Sequence, residues 1–180
     1  MSNITAGVVR GQLPYLEEHI GQKKAIYERY KENLKDLPVS MNPVPDCYEP
    51  NYWLSCLLIN KDAMCPQMRG EQAALYKTEP GKSCPTEILE AMMAFNAEGR
   101  PIWKPMHMQP MYRMNGFITR EGNGRAKTNA YIQGGMLGKD GKPLDVGMDI
   151  FNRGLCLPSD NKMTVEQQDK VIEIVRACFE

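Results

Sequence analysis

The run Tyr52-Trp53-Leu54-Ser55-Cys56-Leu57-Leu58-Ile59 constrains the fold most: it is dense in aromatic and aliphatic residues and is stopped by Asn60 and Asp62. It is short and lacks a 3.6-residue period, so it reads as a β-strand rather than a helix segment. Helical patterns flank it. From Leu13 the apolar positions Leu13, Leu16, Ile20, Tyr27, Tyr30 and Leu34 recur at spacings of three, four and seven, predicting one buried stripe on a helix over residues 4–36. Ser2 or Asn3 can cap its start by accepting a free backbone N–H. Pro14 lacks a donor and crowds the preceding turn, which predicts a kink or two abutting helices.

Residues 38–50 form a proline-rich connector with a short extended piece at 39–41, and residues 62–82 carry no decisive pattern. Residues 85–97 predict a helix with Ile88, Met92 and Phe95 on one face and Gly99 as its stop signal. Residues 101–105 are expected to be extended, because a residue before proline avoids the α region. Glycines, polar residues and the pairs Asn115-Gly116, Asn123-Gly124 and Asp140-Gly141 make 112–147 a long loop, with room for a hairpin. Gly154-Leu155-Cys156-Leu157-Pro158 reads as a short buried strand. Thr164-Val165-Glu166-Gln167 fits a capping box that opens a last helix, with Val171, Val175 and Cys178 on its stripe and Ile172 and Phe179 beside it. Helix, strand, helix, strand, helix with a small sheet is an α+β arrangement.

Lys and Arg number 22, as do Asp and Glu, so no broad basic field exists to hold nucleic acid or an anionic membrane. No segment approaches the roughly 20 apolar residues of a membrane helix, and the start lacks the pattern of a secretory signal, so a cytoplasmic protein is expected. The six cysteines at 47, 56, 65, 84, 156 and 178 contain no C-x-x-C pair, which argues against zinc and for buried free thiols. The 13 methionines read as core filling and loop content.

Three stretches carry a family resemblance. They are Met1-Ser2-Asn3-Ile4-Thr5-Ala6-Gly7 with Arg10-Gly11-Gln12-Leu13 and Lys23-Lys24-Ala25-Ile26-Tyr27; Arg100-Pro101-Ile102-Trp103-Lys104-Pro105-Met106-His107-Met108-Gln109-Pro110; and Asp149-Ile150-Phe151-Asn152-Arg153-Gly154-Leu155-Cys156-Leu157-Pro158-Ser159. In this order they resemble the C-terminal part of the DegT/DnrJ/StrS-type sugar-nucleotide aminotransferases, with W-K-P-M-H-x-Q-P in the second stretch the most specific. The resemblance implies the small C-terminal domain of a type I pyridoxal phosphate (PLP) fold: a small sheet packed with helices between a long N-terminal helix and a C-terminal helix. Residues 1–36 would then link a large domain to the small domain 37–180, which carries a loop insert at about 112–147. It further implies homodimers, a UDP-linked 4-keto-6-deoxy-N-acetyl sugar as substrate and an amino donor, with glutamate the family expectation. The Schiff-base lysine, the aspartate on the pyridine nitrogen and an active-site Asn and Arg would lie upstream. On that reading this chain holds no catalytic, cofactor-binding or metal residue, and PLP belongs to the full-length protein. The alternative is a non-catalytic sugar-nucleotide-binding or assembly module that keeps only the small-domain fold.

Within the second stretch, Lys104 is the lysine to consider near a site, in contact with the sugar nucleotide, against the alternative of a surface lysine. His107 is one of two histidines and is bracketed by Pro105 and Pro110. A lone histidine is more often structural, but the motif implies that His107 reaches the sugar-nucleotide site. Gln109 and Tyr112 offer an amide and a phenol to the same ligand. Trp103 reads as a core residue rather than a platform for uracil, His19 as a solvated residue, and Gly122-Asn123-Gly124-Arg125 as a hairpin turn rather than an anion site.

Overall fold

A computed structural model describes residues 2–69, 74–112, 139–141 and 145–180. Four strands form an antiparallel sheet in the order β1 (Val39–Met41), β2 (Ser55–Ile59), β6 (Gly154–Leu157), β5 (Arg100–Pro101). A second ladder pairs β3 (Gln67–Arg69) with β4 (Ala74–Tyr76), in the stretch whose sequence carries no pattern. The helices are α1 (Asn3–Gln12), α2 (Leu16–Asn33), α3 (Pro85–Ala94), α4 (Val146–Arg153) and α5 (Val165–Ala177). The result is α+β, with a small antiparallel sheet and helices.

The central strand is shorter than the apolar run. Tyr52 takes a left-handed φ of 51°, so the chain turns there and ladder pairing begins only at Ser55. Along β2 the period-two alternation buries Ser55, Leu57 and Ile59 and leaves Cys56 and Leu58 half-buried on the other face. Leu57 lies opposite Leu155 of β6, and both join a core with Tyr30 of α2, Ile88 and Met92 of α3, and Val175 of α5. Two polar contacts fix the helices to that core. The Tyr30 hydroxyl donates to the Pro158 carbonyl at 2.8 Å, and the buried Gln168 amide donates to the Ile26 carbonyl at 2.8 Å.

The N-terminal helix is broken at Pro14 by a 3-10 turn, Leu13–Tyr15, and Ser2 caps α1 by accepting from the Thr5 N–H. Its predicted stripe is buried only in the second half. Tyr27, Tyr30 and Leu34 are enclosed, whereas Leu13 and Leu16 are 64% and 47% exposed and no residue of α1 is buried. The sheet and α5 meet α2 at its C-terminal half, and among the described residues Leu13 and Leu16 stay exposed while Ile20 is half-buried.

Two further expectations change at α3. Phe95 is exposed rather than sharing the buried face, and the left-handed stop is Asn96, at φ 58°, not Gly99. Gly99 serves packing instead, since a Cβ there would run into Met92 Cε and Leu89 Cδ2. The capping box at Thr164 and Gln167 is present as the sequence specifies. Most of the 112–147 segment lies outside the described residues, but its end holds an element the sequence reading lacked. Asp145 accepts from the Met148 N–H at 2.9 Å and opens α4. Arg153 grips Asp149 through two nitrogens, at 3.0 and 2.6 Å, and donates a third hydrogen bond to the Ile59 carbonyl, fastening α4 to β2. Not all cysteines are buried, since Cys47 is exposed. Among the described residues, no helix is long and apolar enough to cross a membrane.

Leu57→Ala, at a fully buried site, should cost about 3 kcal/mol in urea unfolding, whereas Trp53→Ala, exposed and ahead of the strand, should cost about 0.5 kcal/mol or less. For Asp149, burial acts to raise the carboxyl pKa, but the hydrogen bonds and charge of Arg153, with Lys61 nearby, outweigh it and hold the pKa below its ordinary value. A depressed carboxylate pKa contributes stability above its unfolded value that is lost as pH falls through the folded one. Asp149→Asn should therefore cost roughly 2 kcal/mol near neutral pH, and the gap to wild type in urea midpoints should close on acidification below about pH 4.

Candidate functional site

Segments far apart in sequence line an open cavity of about 1110 Å³. Its walls carry two tryptophans, Trp53 and Trp103, and four cations, Lys23, Arg69, Arg100 and Lys104. Trp103 is not a core residue: it is 61% exposed, and its ring centroid lies 5.8 Å from that of Trp53 at a tilt of 40°. Extended backbone after β5, imposed by Pro101 and Pro105, carries Trp103 and Lys104 along the wall. Arg69, from β3, donates to the Phe151 carbonyl at 2.6 Å and sits 4.3 Å over the Phe151 ring. Gln67 donates to the Asn152 carbonyl at 2.6 Å. The short ladder thus satisfies the orphan carbonyls at the end of α4 and brings a guanidinium to the cavity. Burial lowers the Arg69 pKa, though a guanidinium keeps its charge at neutral pH.

Of the four predicted substrate contacts, only Lys104 lies in this wall. His107 and Tyr112 belong to consecutive 3-10 turns, Met106–Met108 and Pro110–Tyr112, with Gln109 between them. All three side chains are half-buried. His107 Nε2 lies 2.5 Å from Asp145 Oδ2, and the two side chains are 13% and 9% exposed. Asp145 thereby joins the turn to α4, because its other oxygen caps that helix. The sequence reading lacked Asp145, although an Asp placed before Val146-Gly147-Met148 is an N-cap signal. It also lacked Lys23, Arg69 and Arg100 as cavity cations, for which no local signal exists. His19 is half-buried and stacks on Tyr15 with centroids 6.3 Å apart, rather than being solvated. Gly122, Asn123, Gly124 and Arg125 lie outside the described residues.

A second group of polar atoms assembles beside α3. Cys65 Sγ, Cys84 Sγ and a Glu87 carboxylate oxygen all lie within 4.8 Å of one another. The bridge between Met64 and Ser83, not a C-x-x-C spacing, brings the two sulfurs together. Two sulfurs and a carboxylate are donors that a thiophilic cation accepts. The group also satisfies itself: Ser83 donates to Glu87 at 2.8 Å, and burial, together with the Cys84 thiol, pushes Cys65 up to about 12.

PLP chemistry requires a lysine amine, an acid for the ring nitrogen and a nest of donors for the phosphate. The described cavity does not assemble that set. Lys23 donates to the Ser159 carbonyl, Glu98 is ion-paired with Arg100, and Asp160 accepts from the Lys162 backbone N–H at 2.7 Å. The residues lining this cavity therefore do not fit the cofactor. They offer aromatic faces and cations suited to a planar, anionic ligand.

A model of the DegT/DnrJ/EryC1/StrS aminotransferase family matches residues 1–130. EpsN of Bacillus subtilis (strain 168), described as a pyridoxal phosphate-dependent aminotransferase, is 31% identical over 180 residues, covering 99% of this chain and 36% of that protein. Solved structures share the fold. Spr1654 from Streptococcus pneumoniae, described as a sugar aminotransferase, superposes in its PMP-form with a TM-score of 0.69 at 15% identity, over 99% of this chain and 35% of that one. DesI, crystallised in the presence of its TDP-sugar product, gives 0.61 at 17% identity, over 93% of this chain and 33% of that one. The chain spans about a third of the length of these relatives. With the family model covering well over half of its residues, the chain belongs to the DegT/DnrJ/EryC1/StrS aminotransferase family.

Proposed function

We propose that this chain is the small C-terminal domain of a longer, cytoplasmic, homodimeric PLP-dependent aminotransferase that aminates a UDP-linked keto sugar. Residues 1–36 link it to a large domain that holds the cofactor, and residues 37–180, with the insert at about 112–147, close the active site. The observation that carries this reading is the uncovered apolar surface of α1 and the start of α2. Ile4, Val8, Val9, Leu13 and Leu16 are all close to or more than half exposed, on a helix pair whose spacing is that of a buried face. A surface of this kind is the mark of a missing packing partner, and this chain aligns with only 36% of EpsN. The cavity supports the substrate class: indoles suit a uracil ring, and arginine and lysine suit a diphosphate. The structure of DesI with a TDP-sugar is consistent with a nucleotide-linked substrate in this family. Lys104 contacts the nucleotide, while His107, Gln109 and Tyr112 contact the sugar or the diphosphate once the rest of the enzyme is in place. The amino donor is glutamate.

A second reading, a non-catalytic sugar-nucleotide-binding module, is favoured by one observation: the tryptophans and cations of the cavity wall all come from this chain. It predicts saturable binding of UDP-N-acetylglucosamine to the isolated chain.

The discriminating experiment compares the 180-residue chain with a longer protein carrying it. The longer protein should transfer the amino group of glutamate to a UDP-4-keto-6-deoxy-N-acetyl sugar, and the chain alone should not. In the longer protein, Lys104→Ala should raise KM about tenfold with little change in kcat, the loss of one charged hydrogen bond in binding. Turnover by the chain alone would overturn the domain assignment, and an unchanged KM would remove Lys104 from the site.

A further inference from the structure

Cys56 and Cys156 face each other across the middle of the sheet, in register between β2 and β6, with their sulfurs 3.8 Å apart. Hydrogen-bond accounting defines the kind of pair they form. The Cys56 N–H donates to Asn42 Oδ1 at 2.9 Å and its carbonyl accepts from the Asn42 N–H at 2.9 Å. Both main-chain groups of Cys56 therefore point toward β1, away from β6. On the other strand, Cys156 pairs in register with Arg100 of β5. Facing each other, the two cysteines occupy a non-hydrogen-bonded position, where opposed Cα atoms lie about 4.5 Å apart and side chains approach most closely. That separation is within the roughly 4.4–6.8 Å that a disulfide spans. A disulfide between them would bring the sulfurs from 3.8 Å to about 2.0 Å.

We propose that Cys56 and Cys156 are a disulfide-forming site, oxidised by exchange with a small-molecule disulfide of the glutathione class. The two thiols are not equivalent. Cys56 is half-buried, whereas Cys156 is 4% exposed and forms part of the cavity wall. The hydrogen bond from the Cys156 thiol lowers the Cys56 pKa, and the same contact, with burial, raises that of Cys156. Cys56 is thus the attacking thiolate. It attacks one sulfur of the small disulfide, forming a mixed disulfide and expelling one small thiolate. Cys156 then loses its proton to solvent and attacks the Cys56 sulfur, expelling the second small thiolate. In sum, two protein thiols are oxidised to one disulfide, the small disulfide is reduced to two thiols, and the two protons end on the released thiolates. The product links the two central strands covalently and alters the wall of the cavity at Cys156. This inference does not depend on the proposed transaminase role.

The test uses the whole chain with Cys47→Ser, which removes the exposed thiol. After incubation of the reduced protein with oxidised glutathione, alkylation and non-reducing digestion, mass spectrometry should find a peptide carrying Cys56 linked to one carrying Cys156. Cys56→Ser and Cys156→Ser should each abolish that link, and Cys156→Ser should leave Cys56 trapped as a stable glutathione adduct. A Cys65–Cys84 link in its place, or Cys56 recovered fully alkylated from folded protein, would overturn the proposal. If a serine variant fails to fold, the peptide map of the protein with Cys56 and Cys156 intact still decides between these outcomes.

Discussion

The structure depends on the antiparallel pairing of β2 with β6, which joins residues 55–58 to residues 154–157. Its register places Leu57 against Leu155 on the core face, and a slip of one residue would turn both toward the other side. The helices converge on that face, with Tyr30 from α2, Met92 from α3 and Val175 from α5 all fully buried there. The edges follow from the same pairing. β1 aligns on β2 and β5 on β6, so the segment that carries Trp103 and Lys104 is positioned by the strand opposite Cys156. Arg153 ties the other boundary of the cavity to the same place through the Ile59 carbonyl. Because this pairing is long-range in sequence, its closure entropy must be met before the contacts form.

What the sequence disclosed about this fold was whatever is determined locally. The capping box at Thr164, the strand around Leu57 and the buried turn of α2 at Tyr27 and Tyr30 each depend on neighbours within a turn or two of the chain. The apolar run misled at its start because composition does not register a left-handed residue at Tyr52. α4 was missed because its helix is short and is fastened by Arg153, Gln67 and Arg69 rather than by its own propensity. The cavity cations were missed for a related reason: Lys23, Arg69 and Arg100 sit on separate elements, and only the tertiary fold gathers them. The order of the three family stretches, by contrast, was readable directly, because it needs no geometry.

The exposed half of the α1–α2 stripe shows a different limit. Periodicity specifies that a helix has an apolar face, but it does not name the occupant of that face. Tyr27, Tyr30 and Leu34 are buried against the sheet and α5, and Leu13 and Leu16 continue the same pattern on exposed surface. Exposed Ile4, Val8 and Val9 extend that apolar content into α1. Burial along one stripe therefore changes from residue to residue with what each turn of the helix meets, not with the period of the pattern.

The W-K-P-M-H-x-Q-P segment divides its side chains between two environments. Trp103 and Lys104 face the cavity, whereas His107 turns against Asp145. A ligand hydrogen-bonded by His107 Nε2 must therefore compete with a carboxylate. The geometry keeps that competition inexpensive in structural terms, because Asp145 uses Oδ2 for the imidazole and Oδ1 for the Met148 N–H. Releasing the histidine leaves the cap of α4 in place, so the ring can change partners without unwinding the helix. Pro105 and Pro110 restrict the backbone on both sides of His107, which confines such an exchange to the side chains.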